Sequence, residues 1–101
     1  MRVRLGVDDL FTVPHRGGLW CHLLCDDFSL EGLRVLHAFA EQIGAPLRAF
    51  HNPAGHPRPH YDLTPGLRQM AIDHGAELLS RFQVVEFLQR GRRSAGSLQI
   101  P

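Results

Sequence analysis

Apolar and polar residues alternate at the start of the chain. Val3, Leu5 and Val7 are separated by Arg2, Arg4 and Gly6, and this period of two predicts a half-buried strand ending at Asp8-Asp9. Phe11 to Leu19 reads as a loop, punctuated by Pro14, Gly17 and Gly18. Trp20 to Cys25 is a near-continuous apolar run, the pattern of a strand buried on both faces, and Asp26-Asp27 end it. The period then changes to that of a helix. Ser29 is a good N-cap, Leu33, Leu36, Phe39, Ala40 and Ile43 form one stripe, Gly44 sits where a terminating glycine belongs, and Pro46 blocks continuation.

Leu47 to His51 reads as a strand. Thr64-Pro65 then open a second helix, with Leu67, Met70 and Ala71 on its apolar face and Gly75 closing it. Ala76 to Leu79 is a brief strand. Ser80 and Gln83 form a capping box for a last helix, which turns Phe82, Val85 and Leu88 inward and ends near Gly91. The order β-β-α-β-α-β-α predicts a small α/β sandwich of two or three layers. Its expected sheet has four strands, mostly parallel. The first connection is too short for an easy parallel crossover, so the first strand is expected at an edge, antiparallel to the second. One domain over residues 1–91 and a flexible tail over 92–101 complete the expected organisation.

Composition changes this picture little. The chain has 101 residues with eleven Arg, no Lys, ten acidic residues and seven His, for a formal charge of +1. Near-neutral charge and few aromatics speak against a nucleic-acid coat. No apolar run reaches the roughly 20 residues that cross a bilayer, and the first residues do not read as an export signal, so the expected location is the cytoplasm. Cys21 and Cys25 would lie about 13 Å apart on a strand, against the roughly 4.4–6.8 Å a disulfide needs, and are expected to be buried, reduced core residues.

The candidate chemistry lies in the Pro- and His-rich stretch His-Asn-Pro-Ala-Gly-His-Pro-Arg-Pro-His-Tyr-Asp-Leu, residues 51–63. It is long for a connection, and its prolines lower the entropy lost in holding side chains in place. His60 and Asp62, in extended backbone, point the same way, as a ligand pair or as a His oriented by an Asp. The structural alternative is that they cap the following helix and brace the loop. Asp26 and His51 are the further metal ligands expected at the same sheet edge. His60, Asp62, Asp8 and His22 are the catalytic candidates, and Tyr61, Trp20, His37 and Arg58 the ligand-binding ones. An antiparallel first strand would bring Asp8 near His22 and away from Asp26. Arg16 and Arg58 are loop cations suited to a phosphate. With no nucleophile motif and no glycine-rich phosphate loop, a His/Asp edge suits hydrolysis by water on a divalent cation, with a phosphate-bearing small molecule as ligand. The rival expectation is a non-enzymatic binding or regulatory module that forms a homodimer or acts with a partner.

Val7-Asp8-Asp9, Trp20-Cys21-His22-Leu23 with Asp26, Leu36-His37-Ala38-Phe39-Ala40, His60-Tyr61-Asp62 and Gly75-Ala76 together resemble a family of short bacterial and phage proteins. It is catalogued as a domain of unknown function, number four thousand and thirty-one. The likeness runs over about residues 2–88. It implies family likeness at Asp8, His22, Asp26, His37, His60 and Asp62, and an association with metal-dependent phosphohydrolases of the HD type, but no settled activity. The chain departs at Cys25, where small residues are commoner, and in its C-terminal tail.

Overall fold

The computed structural model describes residues 2–97. Along the chain run β1 (Leu5–Val7), β2 (Phe11–Val13), β3 (Arg16–Cys25), α1 (Leu30–Ile43), a 3-10 turn (Leu47–Ala49), β4 (Phe50–His51), β5 (His60–Leu63), α2 (Pro65–Asp73), β6 (Glu77–Leu78) and α3 (Arg81–Ser97). The expected α/β class holds. The strand order is β4-β5-β3-β1-β6, with β2 also paired to β3. As expected, β1 is antiparallel to β3, with Val7 opposite Leu23 and Leu5 opposite Cys25.

Two expectations about the sheet are corrected. It has six strands and is mostly antiparallel, β1 with β6 being the parallel pair. It also holds β1 between β3 and β6 rather than at an edge. The reason is hairpin closure, which makes antiparallel neighbours. Residues 52–59 close β4 onto β5. Pro14-His15 closes β2 onto β3, so the stretch Phe11–Leu19 is a β-hairpin and not a loop. His15 takes the left-handed turn conformation at φ 65°. Phe11-Thr12-Val13 has the β-branched and aromatic character that suits a strand, and the Pro and Gly around it hide that signal. Leu47–Ala49, expected in a strand, is a 3-10 turn, which leaves β4 only two residues.

The helix boundaries follow their caps. Ser29 Oγ accepts from the Gly32 amide, Gly44 ends α1 at φ 86°, and Thr64 Oγ1 accepts from the Leu67 amide with Pro65 in the first turn. Ser80 and Gln83 bond each other reciprocally, side chain to backbone, as the capping box requires. The helix α3 does not end near Gly91 but continues to Ser97. Gly91 is there for space: a Cβ would lie 2.4 Å from the Phe28 ring. Of the expected tail, residues 98–101 lie outside the described residues. Phe82 and Val85, expected inward, are exposed, and Phe87 is the buried anchor of α3.

Alternation along β3 and β5 sets the layers. Cys21, Leu23, Cys25, Tyr61 and Leu63 face the main core with Leu36, Ala40 and Ile43 of α1 and Ala71 of α2. Leu24 faces the other way, into a smaller cluster with Leu79 and with Phe87 of α3. That second cover reaches only one end of the sheet face. No helix among the described residues is long and apolar enough to cross a membrane.

Candidate functional site

With odd-numbered residues of β3 and β5 committed to the main core, His22, His60 and Asp62 must share the opposite face. The antiparallel register sets His22 opposite Asp62 and Leu24 opposite His60, and β4 brings His51 opposite His60. Along this face Leu24 lies under α3, His22 comes next, and Trp20 lies beyond it. The site is thus on a sheet face, and not at the carboxyl edge of parallel strands.

Two imidazoles are oriented by their Nδ1 atoms. His22 Nδ1 donates to Asp8 Oδ2 at 2.7 Å, while the His22 amide donates to Asp8 Oδ1 at 2.6 Å. His60 Nδ1 donates to the Arg58 carbonyl at 2.6 Å. A carbonyl only accepts, so the His60 proton is on Nδ1, and in the neutral ring Nε2 carries a lone pair. That Nε2 lies 3.4 Å from Asp62 Oδ1. Burial lowers the His60 pKa below its ordinary value, since only 4 % of the residue is exposed. Two acceptors thus face each other beneath the surface. The same carboxylate takes Arg16 NH1 at 2.8 Å and lies 3.3 Å from His51 Nε2, both on Oδ2. One ligand atom each from His22, His60 and Asp62 lies within 4.8 Å of the others. Around a tetrahedral ion such atoms sit roughly 3.4 Å apart, so closing the set takes inward shifts on the order of an ångström. Aromatic contacts hold the rings: Phe11 stacks on His22 at 4.8 Å, and His22 meets His60 edge-on at 4.9 Å.

The sequence-predicted residues divide cleanly. Asp8, His22, His51, His60 and Asp62 come together. Asp26 does not, which corrects its assignment as a metal ligand of this set: it lies four residues along from His22, about 13 Å on a strand. There it accepts from the Arg4 amide at 2.8 Å and closes the β1–β3 ladder. Tyr61 and His37 are on the opposite face, bonded to each other at 2.6 Å beside the Phe50 ring. The β5 alternation that exposes Asp62 to the cluster turns Tyr61 away from it, and with His37 it lines a separate cavity of about 400 Å³ on the α1 side. Arg58 contributes its carbonyl, and its side chain is exposed. Trp20 flanks the cluster, donating to the Gly17 carbonyl and carrying the Arg16 guanidinium 3.5 Å over its ring. Cys21 and Cys25 are free, and burial pushes both thiols up to about 12, so they are inert. Arg16 was legible only as a loop cation, although its parity with Trp20 and His22 is the signal that places it. Phe11 was hidden by reading its strand as a loop.

A family model described as "Protein of unknown function (DUF4031)" matches residues 6–91. No curated protein and no solved structure gives a significant match.

Proposed function

For a chain that belongs to the DUF4031 family of proteins of unknown function, whose description carries no activity, we propose a function from the site itself: His22, His60 and Asp62 hold a divalent cation, and the centre serves a hydrolase-like reaction. The observation that carries this reading is the His60 Nε2 lone pair facing Asp62 Oδ1 at 3.4 Å. Two acceptors at that distance repel unless something positive is shared between them, and a divalent cation satisfies both at once. Imidazole held through its other nitrogen by a carboxylate or carbonyl is the outer shell of metal-bound histidine, and Asp8 and the Arg58 carbonyl supply it. Two imidazoles with one carboxylate suit zinc and its first-row neighbours, and leave a coordination position open to water. A cation there supplies a Lewis acid and a water acidified toward neutrality. A cytoplasmic setting fits the two free cysteines.

Thermal melting across Mg²⁺, Mn²⁺, Zn²⁺, Ni²⁺ and Ca²⁺ tests the centre. An ion at 100 times its dissociation constant stabilises by about 2.7 kcal/mol, which in a domain of this size raises Tm on the order of 10 °C. Asp62→Asn, which keeps the side-chain shape, abolishes the rise. No rise with any ion overturns the reading. A second reading, a module that binds a second copy or a phosphohydrolase of the HD type, is favoured by Phe82 and Val85, exposed one turn apart on α3. Sedimentation of Phe82→Glu beside the parent protein tests its homodimer form, a monomer in both cases removing it.

A further inference from the structure

A cavity of about 420 Å³ opens next to the cluster, with His51 in the wall of both. That volume is in the range of small-molecule sites. Its polar lining includes Arg16, Arg48 and His51, its apolar lining includes Trp20, Pro46 and Leu67, and none of the described residues lining it is acidic. Arg16 already grips an oxyanion, with NH1 on Asp62 Oδ2 at 2.8 Å, and Trp20 beneath its guanidinium holds the rest of the donor fork in place. Arg48 is exposed and makes no ion pair among the described residues.

We infer that this cavity binds an organic phosphomonoester, with Arg16 and Arg48 on the phosphate and the Trp20–Leu67 walls on the organic group. Two guanidiniums and an imidazole match a dianion better than a single carboxylate, because each phosphate oxygen accepts from a separate donor. The apolar walls account for the organic part, which inorganic phosphate alone would leave unfilled. His51 places the phosphate beside Asp62 and His60, so the inference names the substrate class of the centre proposed above and rests on that reading for its chemistry, though not for its binding. In the reaction, water's oxygen bonds to phosphorus, the ester P–O bond breaks, and the departing oxygen takes one of water's protons while the other stays on the released phosphate.

The test is calorimetric titration of phenyl phosphate, with benzoate and phenol as controls, into the metal-free protein and the Zn²⁺-treated protein, for the parent and for Arg48→Ala. Phenyl phosphate is expected to bind the parent in both forms. Arg48→Ala, which touches no member of the cluster, is expected to weaken it about tenfold or more, the loss of one charged hydrogen bond, with Zn²⁺ binding unchanged. Benzoate and phenol are expected to bind far more weakly. Phenyl phosphate that fails to bind, or binds Arg48→Ala as well as the parent, overturns the cavity inference even where Zn²⁺ binds. Benzoate that binds equally overturns the phosphate assignment. Phenyl phosphate binding without any Zn²⁺ binding upholds the cavity and removes the metal centre.

Discussion

The two faces of β3 and β5 are made by the same strands and differ in every respect that bears on function. On one face Cys21, Leu23, Cys25, Tyr61 and Leu63 are at most 2 % exposed and pack under α1 and α2. On the other, Leu24 packs under Leu79 and Phe87, and Phe11 stacks on the neighbouring His22. His22 is two residues along the same strand from Leu24, and across the ladder stand His60 and Asp62. His60 is 4 % exposed, a position where an apolar side chain would stabilise the fold and an imidazole requires partners to offset its burial. His60 is bonded there to the Arg58 carbonyl and Asp62 to Arg16, and local choices that run against stability are expected at functional or strained sites.

The largest effect expected from breaking this contrast comes from the apolar face. Leu23 is fully buried, and Leu23→Ala costs about 2–5 kcal/mol, as large-to-small core changes do. His22→Ala, on the half-buried polar face, costs less than about 1.5 kcal/mol. Urea melts of the two variants compare them directly. Equal losses would mean that the polar face is as much a part of the core as the apolar one. The next effect is reciprocal. Leu23→Ala keeps the full cation-dependent rise in Tm, whereas His22→Ala loses most of the about 2.7 kcal/mol that ion binding supplies at 100 times the dissociation constant.

How much of this was legible follows from the same contrast. Period-three and period-four stripes with caps at both ends, as in Ser29 to Gly44, fix a helix locally, so α1 was readable to its last residue. Strand pairing is not local. Trp20 to Cys25 announces a strand but not its neighbours, and the hairpins that made the sheet antiparallel turn on Pro14-His15 and on residues 52–59, which read as loop. The pairing of His60 with Asp62 needed only the two-residue period. Joining His22 to them needed the cross-strand register, and β5 with β3 is a pairing that no spacing in the sequence specifies. Asp26 was drawn in by its place at a strand end, and the antiparallel ladder removes it.

A smaller effect sharpens the picture through pH. Burial lowers the His60 pKa below its ordinary 6.5, with the Arg58 carbonyl acting in the opposite direction. The folded state therefore binds fewer protons here than the unfolded chain, and stability rises with pH across the window between the two values. Metal-free protein is expected to lose stability as pH falls below about 6.5, and His60→Gln to lose less over the same range. Chemical denaturation at pH 7.5 and then in steps toward 5 reads this. Identical slopes for parent and variant would place the titration elsewhere.

The smallest effect lies at the far end of the sheet and serves as the control for all the others. Arg4 grips Glu77 with two bonds, Nε to Oε2 at 2.8 Å and NH2 to Oε1 at 2.6 Å, and ties β1 to β6 away from the imidazoles. Both side chains are more than a third exposed, so the pair contributes at most about 1 kcal/mol and less in high salt. The Arg4 hydrogen bond holds the Glu77 carboxyl below its usual 4.5. Its contribution is thus present above about pH 4.5 and lost as pH falls through the lower folded-state value. Glu77→Gln is expected to shift the melt by a few degrees at neutral pH, to show no difference from the parent in strong acid, and to keep the entire cation response. A Glu77→Gln protein that lost the cation response would show that the ions act on carboxylates anywhere on the surface, and the distinction between the two faces would then carry no functional meaning.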